Sequence, residues 1–160
     1  MDMDKLFRAM AEDDYVDWCK ILQENLVTKK LISFLASIEN ISGFNLSQAR
    51  HLIKNGSGND AIELVTSHIF PNFQTIDFIA ESFAHGLTKE QIKVFALPEF
   101  SICQMRVIRK GLELGLSIEQ AKTFADPKIS FEKMKIMCDN LLIDNRATHL
   151  KELFKNVPAN

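Results

Sequence analysis

The sequence has little of what marks several common protein classes. Three cysteines, an odd number, are spread widely over 160 residues, which argues against a disulfide framework and favours buried thiols in a reducing cytosol. No apolar run approaches the ~18 residues of a membrane span, so no membrane partner is expected. The first residues are acidic and lack the basic and then apolar order of a secretory signal. We therefore expect a cytoplasmic protein.

Aromatic residues with polar tips are also scarce. One Trp and one Tyr accompany twelve Phe, and this usage favours core packing over base stacking. Residues 1–103 carry nine Lys and Arg against fourteen Asp and Glu, a net charge of −5, and residues 104–160 carry ten against seven, a net charge of +3. Neither half is charged enough to require a nucleic-acid partner. The length and the hydrophobic content of 46% predict one domain.

Motifs that carry chemistry are missing from the sequence. The four histidines share no metal-ligand spacing with one another or with the cysteines, so no metal site is predicted. The glycine-rich segment at 55–59 lacks the lysine of a phosphate-binding loop and is interpreted as a connection. Cys103 precedes a predicted helix, but no base that would activate it is near in sequence. The sequence therefore predicts a protein that is not an enzyme and needs no cofactor.

What the sequence does contain is a pattern of 29 residues that occurs twice, over 75–103 and 104–132. Its paired positions include Ile76–Met105, Ile79–Ile108, Phe83–Leu112, Gly86–Gly115, Leu87–Leu116, Phe95–Phe124 and Pro98–Pro127. In each copy a helical apolar stripe ends at a glycine, and a hydroxyl three residues before a glutamine begins a shorter helix. Each copy thus predicts a hairpin of two helices followed by a proline-marked loop. Gly111, inside the first helix of its copy, is interpreted as a close contact between helices.

Such hairpins bury one face, so neighbours must stack to complete a core. We predict an all-α fold in which helical-hairpin repeats stack as a short α-solenoid-like bundle with an N-terminal helical cap. The expected parts of the single domain 1–160 are N-terminal helices in 1–42, a degenerate repeat and connection in 43–73, the matched repeats in 74–132, and a partial repeat with a C-terminal cap in 133–160. Asn45 is expected to cap a helix, and Asn145 to begin the last one.

Two groups of charged residues are candidates for a functional surface. In stacked units the basic residues would form a stripe of Arg106, Arg109, Lys110, Lys133 and Lys135. This stripe is interpreted either as a solubilising surface or as a docking site for an acidic protein or a nucleic-acid backbone. The acidic group at 12–17 is interpreted as a solvated face that begins a helix, with mimicry of nucleic-acid phosphates as the alternative. A DNA-reading helix–turn–helix around Gly115 is disfavoured, because its second helix offers one cation.

The segment QMRVIRKGLELGLSIEQAKTFADPKIS at 104–130 resembles a tandem repeat in proteins of Gram-positive bacteria, their phages and conjugative elements. The repeat has the form QMxxIRxGLExGLSxEQ, and the copy at 75–103 departs from it at Thr75, Ala80 and Ser82. The resemblance implies a helical module that binds another protein in the bacterial host cell. By analogy with other mobile-element proteins, it implies an anti-CRISPR-like inhibitor that sterically occludes a host CRISPR or restriction nuclease complex. The alternative is a nucleic-acid-associated module that binds phosphates through the basic stripe.

Overall fold

A computed structural model describes residues 2–160, which form nine α-helices and no strand. The helices are α1 (Met3–Gln23), α2 (Lys29–Ser37), α3 (Gly43–Lys54), α4 (Asn59–Thr66), α5 (Phe73–Ala84), α6 (Lys89–Ile92), α7 (Ile102–Glu113), α8 (Ile118–Lys122) and α9 (Phe131–Phe154). The prediction of an all-α fold is confirmed. Among the described residues, no helix combines the length and the apolar character that crossing a membrane requires.

Backbone contacts group the described residues into two units, 2–89 with 96–98 and 90–95 with 99–160. In the first unit α3 packs against α1, α4 and α5, while α2 packs against α1 and α4. In the second unit α7 packs against α8 and α9. Aliphatic and phenylalanine side chains fill both interiors, with Leu46 fully buried in the first and Phe124 in the second. The solenoid-like stacking of the hairpins and the single-domain organisation stay predictions.

The longer helices begin with the same kind of cap at intervals of 28 to 30 residues. The capping residues are Asp14, Ser42, Asn72, Ser101 and Ser130, and each side chain accepts a hydrogen bond from the backbone N–H three residues later. Asp14 lies inside α1, where its backbone leaves the helical conformation and divides the helix. The prediction that Asn45 is a cap is wrong. Ser42 caps α3, and Asn45, the third helical residue, accepts a hydrogen bond from the Ser42 backbone N–H through its Oδ1.

The helices that precede the turns also end alike. Asn25, Gly56, Gly86 and Gly115 have positive φ angles of 54°, 74°, 84° and 102°. After each of them, the next backbone N–H donates to the carbonyl oxygen five residues back, which is the Schellman pattern of helix ends. The hairpin therefore occurs four times, starting at residue 14. Sequence matching misses the first copy because Asn25, which tolerates this conformation, stands where the other copies have glycine.

The acidic group at 12–17 is only partly the solvated, helix-starting face that the sequence suggested. Asp14 does cap the helical segment that follows it, and Glu12 is exposed. Arg50 of α3, however, has Nε 2.6 Å from Asp13 Oδ2 and a terminal nitrogen 3.1 Å from Asp17 Oδ2. The Asp13 side chain is 7% exposed and also accepts a hydrogen bond from Trp18 Nε1 at 2.9 Å. Asp13 and Asp17 therefore join α1 to α3, and mimicry of phosphates stays an untested alternative.

The prediction that Asn145 begins the last helix is wrong. Helix α9 continues from Phe131 to Phe154, with Asn145 in its interior. Asn145 pairs its side-chain amide with that of Gln120, at 2.8 Å and 3.1 Å for the two reciprocal hydrogen bonds. Because the amide bonds sideways to a neighbouring helix instead of capping the backbone, α9 runs through this position.

Candidate functional site: a basic pocket on helices α7 and α9

Gln104 fixes the start of α9 relative to the start of α7. It is the third residue of α7, and its Oε1 accepts a hydrogen bond from the Ser101 backbone N–H at 2.8 Å, which completes a capping box. Its Nε2 donates to the carbonyl oxygens of Pro127 at 3.0 Å and Ile129 at 2.7 Å. This buried amide therefore holds the loop that leads directly into α9.

Helices α7 and α9 approach closely at Gly111. A Cβ atom built on Gly111 would lie 2.8 Å from Cys138 Sγ and 2.9 Å from Leu116 Cδ1, closer than real side chains pack. Glycine inside a helix costs about 1 kcal/mol relative to alanine. The close approach accounts for its presence, and the interpretation of Gly111 as a helix contact is confirmed.

Three of the predicted basic residues surround one pocket between these helices. Arg106 and Lys110 come from α7 and Lys135 from α9, and the remaining lining residues are Val107, Cys138 and Asp139. The volume of about 150 Å³ is well above the roughly 10–15 Å³ of such space that one water molecule needs, which leaves room for a carboxylate or phosphate group. All three cations are exposed. Within residues 2–160 none of them forms an ion pair.

The other two predicted cations are placed differently. Arg109 is largely covered, with its side chain 16% exposed and Nε 3.4 Å from Glu113 Oε1. Lys133 is exposed in the first turn of α9 but does not line the pocket. Successive residues of a helix are turned by about 100°, so Arg109 cannot share a direction with Lys110, nor Lys133 with Lys135. The predicted stripe of five is therefore a cluster of three, which we call the basic pocket.

The cysteines are not uniformly the buried thiols that the sequence predicted. Cys138 is buried beside the basic pocket, Cys19 is half-buried and Cys103 is exposed in the first turn of α7. Burial raises the pKa of the Cys138 thiol, and the charge of Asp139 adds to this rise. Cys138 therefore stays protonated near neutral pH and is a packing residue, not a nucleophile.

The first unit contains a polar cluster that sequence analysis did not identify. His51 Nε2 lies 2.7 Å from Asp77 Oδ1, and the imidazole stacks on Phe73 with ring centroids 4.2 Å apart. The cluster borders a groove of about 760 Å³ between the glycine-rich segment and α5, where Asp60 and Glu81 add two carboxylates. No local pattern could have shown this pair, because its members are 26 residues apart on two helices. The pair joins α3 to α5.

Across residues 2–160, no group of three or more His, Cys, Asp and Glu side chains is placed to hold a metal ion. Every buried side-chain nitrogen or oxygen in that range has a hydrogen-bond partner. The exposed, unpaired charges of the basic pocket are suited to an anionic group.

Family models, curated protein sequences and solved structures give no match when they are compared with this chain.

Proposed function

We propose that the protein is a non-enzymatic helical-repeat module that binds an acidic surface of another protein through the basic pocket. The supporting observation is that Arg106, Lys110 and Lys135 converge on one pocket without an ion pair among the described residues. Elsewhere, Arg50 and Lys89 lie against carboxylates of their own unit. Three neighbouring cations whose charges are not neutralised by the fold are suited to carboxylates brought by a partner.

A protein partner fits this pocket better than a nucleic acid does. Three cations that neutralise three phosphates of a duplex would give a salt dependence with a slope of about −2.7, which belongs to weak binding. Arg109 and Lys133 do not line the pocket and so do not add to this number.

The proposed partner is a host CRISPR or restriction nuclease complex. The resemblance of residues 75–132 to repeats of phages and conjugative elements supports this choice, and with such a partner the interaction would take place in the cytoplasm of the bacterial host. The mechanism would be steric, because a folded module of 160 residues covers part of a surface that the nuclease needs. Such inhibition requires no catalytic residue.

The test compares two variants with equal changes of charge. In the pocket variant Arg106, Lys110 and Lys135 are replaced by Glu; in the control variant Lys122, Lys128 and Lys155, exposed in the same unit, are replaced by Glu. Binding to purified host nuclease complexes is measured by biolayer interferometry, and cleavage is measured with and without the protein. The pocket variant should lose binding and inhibition, and the control should keep both.

The nucleic-acid alternative is tested in the same series by fluorescence anisotropy with duplex and single-stranded probes. At low ionic strength the protein should show no binding to either probe, because three cations are too few to hold a nucleic-acid backbone. Binding that the pocket variant loses and the control retains would establish the alternative and overturn the protein-binding proposal. Equal inhibition of the nuclease by both variants would also overturn it, since the pocket would then be irrelevant.

A further inference from the structure

Helix α9 carries apolar side chains on two opposite faces. Met134, Cys138 and Leu142 are buried in the interior of the second unit. Ile136 and Ile143 lie on the other side of the helix and are 63% and 58% exposed. Residues 134 and 136 differ by about 200° around a helix, so both faces cannot contact the same core. A surface helix normally has a single apolar face, and a helix that is apolar on both sides is normally covered on both.

The exposed face has the spacing of a coiled-coil seam. Its residues follow one another at intervals of four, three and four, in the order Ile143, Ala147, Leu150 and Phe154, the last residue of α9. Leu150 is 64% exposed and Phe154 is 74% exposed. An average interval near 3.5 residues keeps a stripe facing a second helix along its whole length. We call these four residues the α9 seam.

Most of the seam lies beyond the last side-chain hydrogen bond between α9 and the rest of its unit, which is the Asn145–Gln120 amide pair. From residue 146 to residue 160 every side chain is exposed. As far as Leu150 the helix still borders a depression beside Leu114 and Gly115. The apolar stripe of its last two turns is nevertheless in solvent, which leaves space for another helix alongside.

We propose that the α9 seam pairs in antiparallel orientation with the same seam of a second copy of this chain. The residues beside the seam change sign along the helix, from Asp139 and Asp144 before its midpoint to Arg146 and Lys151 after it. In a parallel pair, Asp139 would face Asp144 of the second copy, and Arg146 would face Lys151. Reversing one helix removes both like-charge contacts and brings Asp144 beside Lys151 of the second copy, and flanking charges of this kind set helix orientation.

The free length of α9 also fixes the register. The pairing that keeps both copies within residues 143–154 of the helix sets Ile143 against Phe154 of the second copy and Ala147 against its Leu150. Asp144 then lies beside Lys151 of the second copy, and the symmetry of the dimer repeats each contact. The contact area is small: four apolar side chains a copy at roughly 100 Å² each give about 800 Å² in total, a size that belongs to weak association. The pair should therefore form at tens to hundreds of micromolar concentration.

The test measures the mass of the full chain by sedimentation equilibrium from about 5 to about 500 µM, a range that brackets such a dissociation constant. The variant Leu150→Glu places a charge in the seam. The matched control Thr148→Glu places the same charge on an exposed residue off the seam. Wild type and control should dimerise with similar constants, and Leu150→Glu should weaken the dimer at least about tenfold. Both positions are exposed, so far-UV circular dichroism should show an unchanged fold.

Orientation is tested by charge reversal. Lys151→Asp should weaken the dimer, and Asp144→Lys added to it should restore dimerisation, because the two positions face each other across the antiparallel pair. A chain that stays monomeric over the whole range overturns the proposal, as does a dimer that Leu150→Glu leaves intact. If the chain is monomeric and a bound nuclease complex protects residues 143–154 from hydrogen exchange, the seam serves a different partner and the second-copy proposal fails. These readouts do not depend on the basic pocket.

Discussion

The substitution Gly111→Ala tests the close approach of α7 and α9. Alanine inside a helix is favoured over glycine by about 1 kcal/mol, so without a close neighbour the variant would be more stable than wild type. The added Cβ would instead lie 2.8 Å from Cys138 Sγ and 2.9 Å from Leu116 Cδ1. Forcing one methyl group into a packed interior typically costs about 1–3 kcal/mol. The overpacking cost should exceed the propensity gain, leaving the variant less stable by about 1 kcal/mol.

Two further variants separate these opposing effects. Cys138→Ala removes the sulfur atom that the new Cβ would meet, and Leu116 can turn its terminal methyl group aside. In that background Gly111→Ala should be neutral or stabilising, which corresponds to a coupling energy of about 1–2 kcal/mol between the two positions. Gly43→Ala is the control, because Gly43 begins α3 and a Cβ atom there meets nothing within 4 Å. It should raise the stability by a few tenths of a kcal/mol.

The measurement is urea unfolding followed by far-UV circular dichroism. Trp18 fluorescence is the wrong probe, because Trp18 belongs to the first unit and Gly111 to the second. The denaturation slope should stay unchanged, so that the midpoint shift reports stability. If Gly111→Ala is stabilising by the full ~1 kcal/mol of helix propensity, the helices do not approach as described and the packing argument is refuted.

Three further outcomes follow from the remaining contacts. Arg50→Met should destabilise the protein by about 2 kcal/mol in urea unfolding, because it leaves the nearly buried Asp13 carboxylate without its cation; an unchanged midpoint would contradict this. The hydrogen bond from Lys54 lowers the pKa of Asp17, so the stability that this pair contributes is present above the unfolded-state pKa and is lost as pH falls through the folded-state value. Unfolding measured from neutral to acidic pH should accordingly show a smaller loss for Asp17→Asn than for wild type. Cys103 is exposed and should be alkylated first in the native protein, which mass spectrometry of peptides would show.

The helices and turns were predictable because the interactions that form them are local. A capping hydroxyl bonds three residues ahead, and a turn glycine completes hydrogen bonds within five residues. Such signals lie within a few consecutive residues, as at Ser117 and Gly115. The exception at Asn25 shows the limit of comparing repeats by residue identity. The same backbone conformation can be adopted by a different residue, and the first hairpin then goes unnoticed.

The candidate site was predictable only in part. Lys110 follows Arg106 by four residues, a spacing that places the two on one face of α7. The helical rotation of 100° per residue separates Arg109 from Lys110. That Lys135 joins the pair depends on how α9 packs on α7, through Gln104 and Gly111. No spacing along the chain contains this information.

The sequence by itself determined that the chain is helical, where most helices start and stop, and that a hairpin recurs along it. Only the tertiary structure decided which charged side chains form ion pairs. Arg50 pairs with Asp13, whereas the three cations of the basic pocket form no ion pair among the described residues. It also decided that α9 passes Asn145 and carries its second apolar face into solvent. The physical reason is the sequence separation over which the interactions act. Helices form through contacts within a turn or two, whereas the ion pairs of a side chain and its exposure to solvent are set by residues that are far apart along the chain.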